Sequence, residues 1–375
     1  MRIALFLPGG VDHSGSEHVI PAFLALIERL ARRHAVVVLS LQKAPAIGRY
    51  ELLGATVHDV GGGAGRRRRA LALLAEEHRR RPFDVFHAFW AQGTGSIAAI
   101  AGWRLRVPVV LHLSGGEMAS MPDIAYGQRR TARGRLVLRL AIAGACRVTV
   151  ASAPMAQAAA ALGVATRRIP LGVALDRWPP VPPRPRDIVR PARLLHIADL
   201  NRVKDQGTLL RAVAILSRMA VPFHLDLAGY DTLSGDVQKM ARELGLADQI
   251  TFHGKLRYAQ LHALAAQADL HLLSSRHEAG PLAVLEAALA GAPTVGTRVG
   301  HVAEWHPDAA IAVAIGNAEA MASAAAAILT NDDARMRLAT AAHERALSEN
   351  ADVTARLFEE LYSEVVMIEG RGAQP

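Results

Sequence analysis

Apolar and polar positions divide the chain into two similar series. In the first half, short runs of Val, Ile, Leu and Ala ("RIALFLP", "AVVVLSL", "TVHDV", "DVFHAF", "PVVLHLS" and "RVTVAS") alternate with longer stretches of helical periodicity. The second half repeats the arrangement with "RLLHIADL", "FHLDLAG", "ITFHG", "LHLLSS", "PTVGT" and "AAIAVAIG". Runs that are apolar on both faces, with helices between them, predict parallel strands joined by crossover helices. Between the series lies "WPPVPPRPRDIVRP", Trp178 to Pro191, whose six prolines forbid a regular helix and stiffen the connection. The fold class expected is therefore α/β, with doubly wound domains at 1–177 and 192–351 and a Pro-rich linker at 178–191. Such domains bind ligands at the carboxyl ends of their strands, so two of them facing each other are expected to share one cleft. A last amphipathic pattern, "DVTARLFEELYSEVV" from 352 to 366, predicts a helix followed by a frayed "EGRGAQP" tail.

One segment breaks its own pattern. From Pro281 to Pro293 the chain reads as a helix made for burial, with Glu286 as its one charge. Desolvating that carboxylate costs several kcal/mol unless partners are supplied, and the partner is either a basic residue or a ligand. Pro281 suits the first helical position, and Gly291 with Pro293 ends the helix. The amides of Gly280, Leu282 and Ala283 are then free at the positive end of the helix dipole, where an anion fits.

Composition narrows the class. The 375 residues are 51% hydrophobic and 21% charged, an ordinary globular balance with room for two cores. One cysteine, Cys146, excludes an intramolecular disulfide. The apolar start meets Pro8-Gly9-Gly10 too soon for a signal peptide and reads as a first strand, so a cytoplasmic protein is expected. The net charge of +9 rests almost wholly on arginine, which is weak ground for a nucleic-acid partner and none is expected. No Asp-x-Asp and no histidine–carboxylate cluster of ligand spacing occurs, so no metal and no cofactor is expected.

The segment E-A-G-P-L-A-V-L-E-A-A-L-A-G-A-P, two glutamates separated by seven residues and followed by a small-residue helix and Gly-x-Pro, resembles retaining glycosyltransferases of GT-B architecture and family 4 type. Further matches are "SGSEHV", "FDVFHAFW", "IPLGVALDRW", "LNRVKDQGTLLRA" and "ITFHGKL", so the resemblance covers nearly the whole chain. It implies two Rossmann-like domains, with the helix at 352–366 crossing back to the N-terminal one. It also implies transfer of a hexose-type sugar from a nucleoside diphosphate sugar, the donor partner, to an acceptor hydroxyl that the sequence does not identify.

The resemblance carries roles to particular residues. Glu286 is expected to accept hydrogen bonds from the donor ribose, Glu278 to contact the transferred sugar, and the Ala279–Gly280–Pro281–Leu282 turn to face the diphosphate. Lys204 matches the family lysine that stabilises the leaving group. Lys255 and Leu256 fall where a loop meets the nucleobase, and Gly15 with Ser16 fall in the N-terminal glycine loop, where backbone approaches the donor closely. On the acceptor side stand Ser114, Gly115, Gly116 and Glu117, with His112 either a catalytic group or a core histidine.

Two positions depart from the family pattern. Asp199 stands where the family has an arginine, and a carboxylate beside a diphosphate is repulsive unless it is turned away or paired; Arg202 is expected to supply the second cation. Ser114 stands at the usual histidine position, with His112 two residues earlier on the same strand face. These departures leave as a rival a sugar-nucleotide-binding protein without catalysis; a second rival is a GT-B epimerase or phosphorylase. Arginine runs at 66–69 and 79–81, and the arginine- and leucine-rich stretch 128–147, suit either a solvated surface or peripheral contact with an anionic membrane.

Overall fold

The computed structural model describes residues 1–16, 18–41, 47–187 and 189–372. Glu17 of the quoted glycine loop, Ile188 of the Pro-rich stretch and residues 373–375 of the tail lie outside the described residues. The chain forms two compact units, one of residues 1–174 with 351–375 and the other of residues 175–350.

The first unit is built on one sheet. Its strands are β1 (Arg2–Leu7), β2 (Ala35–Ser40), β3 (Gly48–Leu52), β4 (Ala55–Asp59), β5 (Val85–Phe89), β6 (Val109–Leu113), β7 (Arg147–Val150) and β8 (Arg167–Arg168), in the order β3-β4-β2-β1-β5-β6-β7-β8. All pairs are parallel except β3 with β4. β1, β5 and β6 are buried along their whole length, as continuous apolar runs in a covered parallel sheet should be. The order reverses between β1 and β5, which makes the loops after those two strands the topological switch point.

The second unit repeats the plan with β9 (Ala192–Ile197), β10 (Phe223–Ala228), β11 (Ile250–Gly254), β12 (Leu270–Leu273), β13 (Thr294–Thr297) and β14 (Ala310–Val313). All are parallel, in the order β11-β10-β9-β12-β13-β14. Here the switch point lies between β9 and β12. All twelve apolar runs became strands; β3 and β8 had no such run to announce them.

Two expected boundaries change. The Pro-rich stretch is a strap on the second unit rather than a linker between domains. Trp178 is fully buried there, its indole donating to the Glu286 carbonyl oxygen (3.0 Å), while Val181 N donates to Leu289 O (2.7 Å) and Arg186 to Leu329 O (2.9 Å). Proline removes donors but leaves carbonyls and rings to pack, so a helix-breaking segment can still be immobile. The C-terminal helix runs from Ala351 to Gly372, longer than expected, and belongs to the first unit. It buries Phe358, Leu361, Tyr362 and Val365, and the Tyr362 hydroxyl meets His87 Nδ1 at 2.6 Å.

Candidate functional site

In the second unit, the loop after β9 and the turn after β12 converge at the switch point. Lys204 Nζ donates to Glu278 Oε1 at 2.5 Å, and Ser275 Oγ donates to the same oxygen at 2.6 Å. The Lys204 loop is fastened to the turn after β12: Ser274 Oγ donates to Lys204 O (2.7 Å) and Arg276 N to Val203 O (2.7 Å). Behind it, Gln206 bridges the Asp199 carbonyl and His196, whose other ring nitrogen lies 2.8 Å from Leu272 O. Burial pushes His196 down to about 4, so it serves as a neutral strut.

Asp199 is turned away from this centre. Its carboxylate accepts the amide of Tyr230 at 2.9 Å, and Gly229 makes that approach possible, because a Cβ there would overlap the carbonyl oxygen of Ala198. The Gly229-Tyr230-Asp231 turn thus supports the loop from behind. Arg202 is exposed and has no hydrogen bond or ion pair among the described residues, so its charge is available.

The helix after the turn spans Leu282–Leu289. Pro281 caps it in an extended conformation instead of occupying its first turn (φ −69°, ψ 116°). The amides of Gly280, Leu282 and Ala283 make no hydrogen bond among the described residues, and they stand at the positive end of the helix. Gly300 closes over this turn, since a Cβ there would press on Pro281 Cδ at 2.7 Å.

Glu286 is buried in the second turn of that helix and accepts one hydrogen bond, 3.0 Å from the Tyr258 hydroxyl. No basic group pairs with it among the described residues. Burial therefore pushes its carboxyl up to about 7, the phenol pulling weakly the other way. Trp178 packs against Tyr258 (centroids 4.8 Å apart) and fixes its ring. Lys255 and Leu256 lie in the loop just before Tyr258, with Lys255 exposed.

In the first unit the expected acceptor-side residues separate. His112 is wholly buried, with Nδ1 2.8 Å from Thr149 Oγ1 and its ring beside Phe358 of the C-terminal helix. Burial depresses it to about 3, and it is a core histidine, the second of the two expected readings. Strand alternation placed it on one face, and the C-terminal helix covers that face. β6 ends at Leu113, after which Ser114 to Glu117 form a loop. There Gly115 N donates to Glu117 Oε2 at 2.7 Å, and burial lifts the Glu117 carboxyl to about 7. A Cβ at Gly115 would overlap Trp90 Nε1, and one at Gly116 would strike the Tyr126 ring, so both glycines let aromatic rings pack on the loop.

Glu117 and Gly116 line a cavity of about 410 Å³ with Trp90, Gln92, Gln128 and Arg130. Trp90 and Gln92 belong to the loop after β5, at this unit's switch point. The loop after β1 holds Gly15 at φ +65°, with its amide on Asp12 O, and Ser16 N on the Ser14 hydroxyl.

Sequence reasoning passed over Ser275, Tyr258, Trp178, Gln206 and Trp90. Ser275, three residues before Glu278, and Tyr258, two after Leu256, carried a positional signal. Trp178 and Trp90 meet their partners only through the tertiary fold. Among the described residues, no group of three or more His, Cys, Asp or Glu side chains could hold a metal ion.

Known proteins extend these observations. The model described as Glycosyl transferases group 1 matches residues 185–345, and the Glycosyl transferase 4-like domain matches 19–172, so between them they span most of the chain. A Mycobacterium tuberculosis glycogen synthase is 31% identical over 180 residues, 48% of this chain and 43% of that protein, so the match spans less than half of that relative. The fold of a sucrose-phosphate synthase from Thermosynechococcus elongatus aligns over 98% of this chain and 100% of that one, with a TM-score of 0.79 at 17% identity. Anabaena HepE, in complex with UDP and glucose, aligns over 96% and 99% with a TM-score of 0.72 at 19% identity. With two doubly wound parallel-sheet units, and matching models along both, the chain belongs to the GT-B glycosyltransferases of the family 4 type.

Proposed function

We propose that the protein moves a hexose-type sugar from a nucleoside diphosphate sugar to an acceptor hydroxyl, with retained anomeric configuration and without a metal ion. The observation that carries this reading is the meeting of Lys204, Glu278 and three free helix amides at the switch point of the second unit, one turn from Glu286. A carboxylate that is buried with only a neutral phenol for partner suits the two hydroxyls of a ribose, which donate and bring no charge. Glu278, held by Lys204 and Ser275, is assigned to the transferred sugar, and Lys255 and Leu256 to the base.

In the reaction the bond from the anomeric carbon to the diphosphate oxygen breaks and its electron pair stays on the diphosphate. Lys204, Arg202 and the amides of Gly280, Leu282 and Ala283 offset that growing charge, so they stabilise the transition state more than the ground state. Lys204 has three N–H donors, so it can keep Glu278 while taking a phosphate oxygen. The acceptor oxygen attacks from the face the diphosphate leaves, and its proton passes to the departing oxygen. The cavity at Trp90 and Glu117 in the first unit suits the acceptor. A nucleotide-sugar donor makes the cytoplasm the place of action.

Asp199 and Ser114 had suggested a binding protein without catalysis; the hydrogen bond from the Tyr230 amide to the Asp199 carboxylate speaks against the first of those grounds. Because the HepE structure contains UDP and glucose, UDP-glucose is the first donor to assay, followed by other nucleotides and acceptors. Glu286→Ala is expected to weaken nucleotide binding by tenfold or more (roughly 1.4 kcal/mol), and Glu278→Ala to lower kcat with little change in nucleotide affinity. Unchanged affinity in the first variant refutes the ribose assignment. Binding without transfer or donor hydrolysis across the panel refutes the enzyme.

A further inference from the structure

The helix Ser96–Leu105 is flanked by the helices Arg66–Arg80 and Ala132–Ala143 on one side of the first unit's sheet. This three-helix face carries apolar side chains in water: Trp103 is 82% exposed, Leu136 56% and Leu140 59%. They lie along one seam. A Cβ on Gly144 would come within 2.5 Å of Ala99, which fixes where the two helices touch. Trp103 is one turn on from Ala99, and Leu140 and Leu136 are one and two turns back from Gly144. On the other flank, Leu71 and Ala75 face Ala101 and Leu105 across an apolar groove of about 360 Å³ with Arg68 and Arg104 among its lining residues.

The charge around the seam is mostly positive: the helix Arg66–Arg80 carries Glu76 and Glu77, which pair with Arg80 and Arg2. Between Val85 and Leu175 the chain has ten arginines against two carboxylates, Glu117 and Asp123, and Glu117 is buried. Arg67, Arg68, Arg104, Arg106, Arg133 and Arg139 are exposed, with no hydrogen bond or ion pair among the described residues. Other members of the arginine runs do structural work: Arg66 donates to Leu41 O, and Arg69 to Val60 O and Gly62 O. Leu138 of the leucine-rich stretch is buried, so the structure sorts that stretch into an inner face and an outer one.

We propose that this three-helix face docks on an anionic phospholipid bilayer, with Trp103, Leu136 and Leu140 entering the headgroup boundary and the unpaired arginines meeting lipid phosphates. Exposed apolar side chains among arginines that outnumber the carboxylates match a surface that is apolar inside and negative outside. A neutral or basic protein partner would leave the arginines uncompensated. Among the described residues no helix is long and apolar enough to cross a membrane, so the contact is interfacial. This surface uses none of the residues assigned to the donor, and its test does not depend on the glycosyltransferase assignments.

Flotation of the full chain with vesicles of phosphatidylcholine, with and without phosphatidylglycerol, tests the proposal. Binding is expected only with phosphatidylglycerol and is expected to fall with added salt. Arg104→Glu and Arg139→Glu should each weaken it by at least about fivefold, the worth of one charge near an anionic surface. The triple variant Trp103→Ser/Leu136→Ser/Leu140→Ser should reduce flotation to the phosphatidylcholine level. An unchanged melting curve and circular dichroism spectrum show that the variants fold, and losing three exposed apolar groups should not lower Tm. Equal flotation of wild type and triple variant, or equal binding to neutral vesicles, overturns the proposal. So does a wild-type dimer that ignores vesicles and that the triple variant converts to a monomer.

Discussion

Two carboxyls, Glu286 and Glu117, are lifted to about 7 by burial, and their surroundings give them different tasks. Glu286 faces a phenol and no cation, so the role proposed for it, accepting ribose hydroxyls, depends on its charge. Nucleotide affinity is expected to fall as the pH drops through about 7, and titration calorimetry across pH 5 to 9 should find that slope abolished in Glu286→Gln. Stability runs the other way. A carboxyl whose folded-state pKa exceeds its ordinary 4.5 holds its proton more tightly when folded, so its contribution is greatest below 4.5 and is lost as pH rises through about 7. Glu286 was legible in the sequence because one charge in an apolar helix demands a partner. The partner itself was not legible: Tyr258 lies 28 residues away and reaches it only after β11 and β12 are in place. His112 was half legible, since alternation gives the face a side chain takes but not what covers that face.

At the level of elements, loops fastened from behind set the geometry. The segment from Asp199 to Lys204 is tied to the turn after β12 through Ser274 and Arg276 and to the turn after β10 through Tyr230. Gly229→Ala is therefore expected to push that loop off its seat, costing roughly 1–3 kcal/mol of stability. Nucleotide affinity should fall with it, and denaturant unfolding with calorimetry reads both; an unchanged affinity means that the loop does not position Lys204. The central strands were legible because both their faces are buried, giving unbroken apolar runs, whereas the edge strand β11 is only half-buried. β3 was not legible, since it is an exposed edge paired antiparallel with β4 and carries a mixed pattern. The Pro-rich strap was misread for a related reason: proline reports the helix it forbids and is silent about the wall against which its rings and carbonyls pack.

At the level of the molecule, the chain leaves the first unit at Ala174 and returns to it at Ala351. The returning helix seals His87, Phe89 and His112 beneath Phe358 and Tyr362. Expressed alone, residues 175–350 are expected to fold and bind nucleotide, whereas 1–174 should stay soluble only when the 351–372 helix is supplied. Size-exclusion chromatography of the two fragments, with and without a 351–372 peptide, checks this; a monomeric, cooperatively melting 1–174 would refute it. The order of the chain also becomes an order in time. At roughly 5 to 20 residues per second, a ribosome needs about 10 to 35 seconds to make the second unit, and throughout that interval the apolar face of the first waits without its cover. The unit made first is thus the unit completed last, because its closing helix is the final segment to be made.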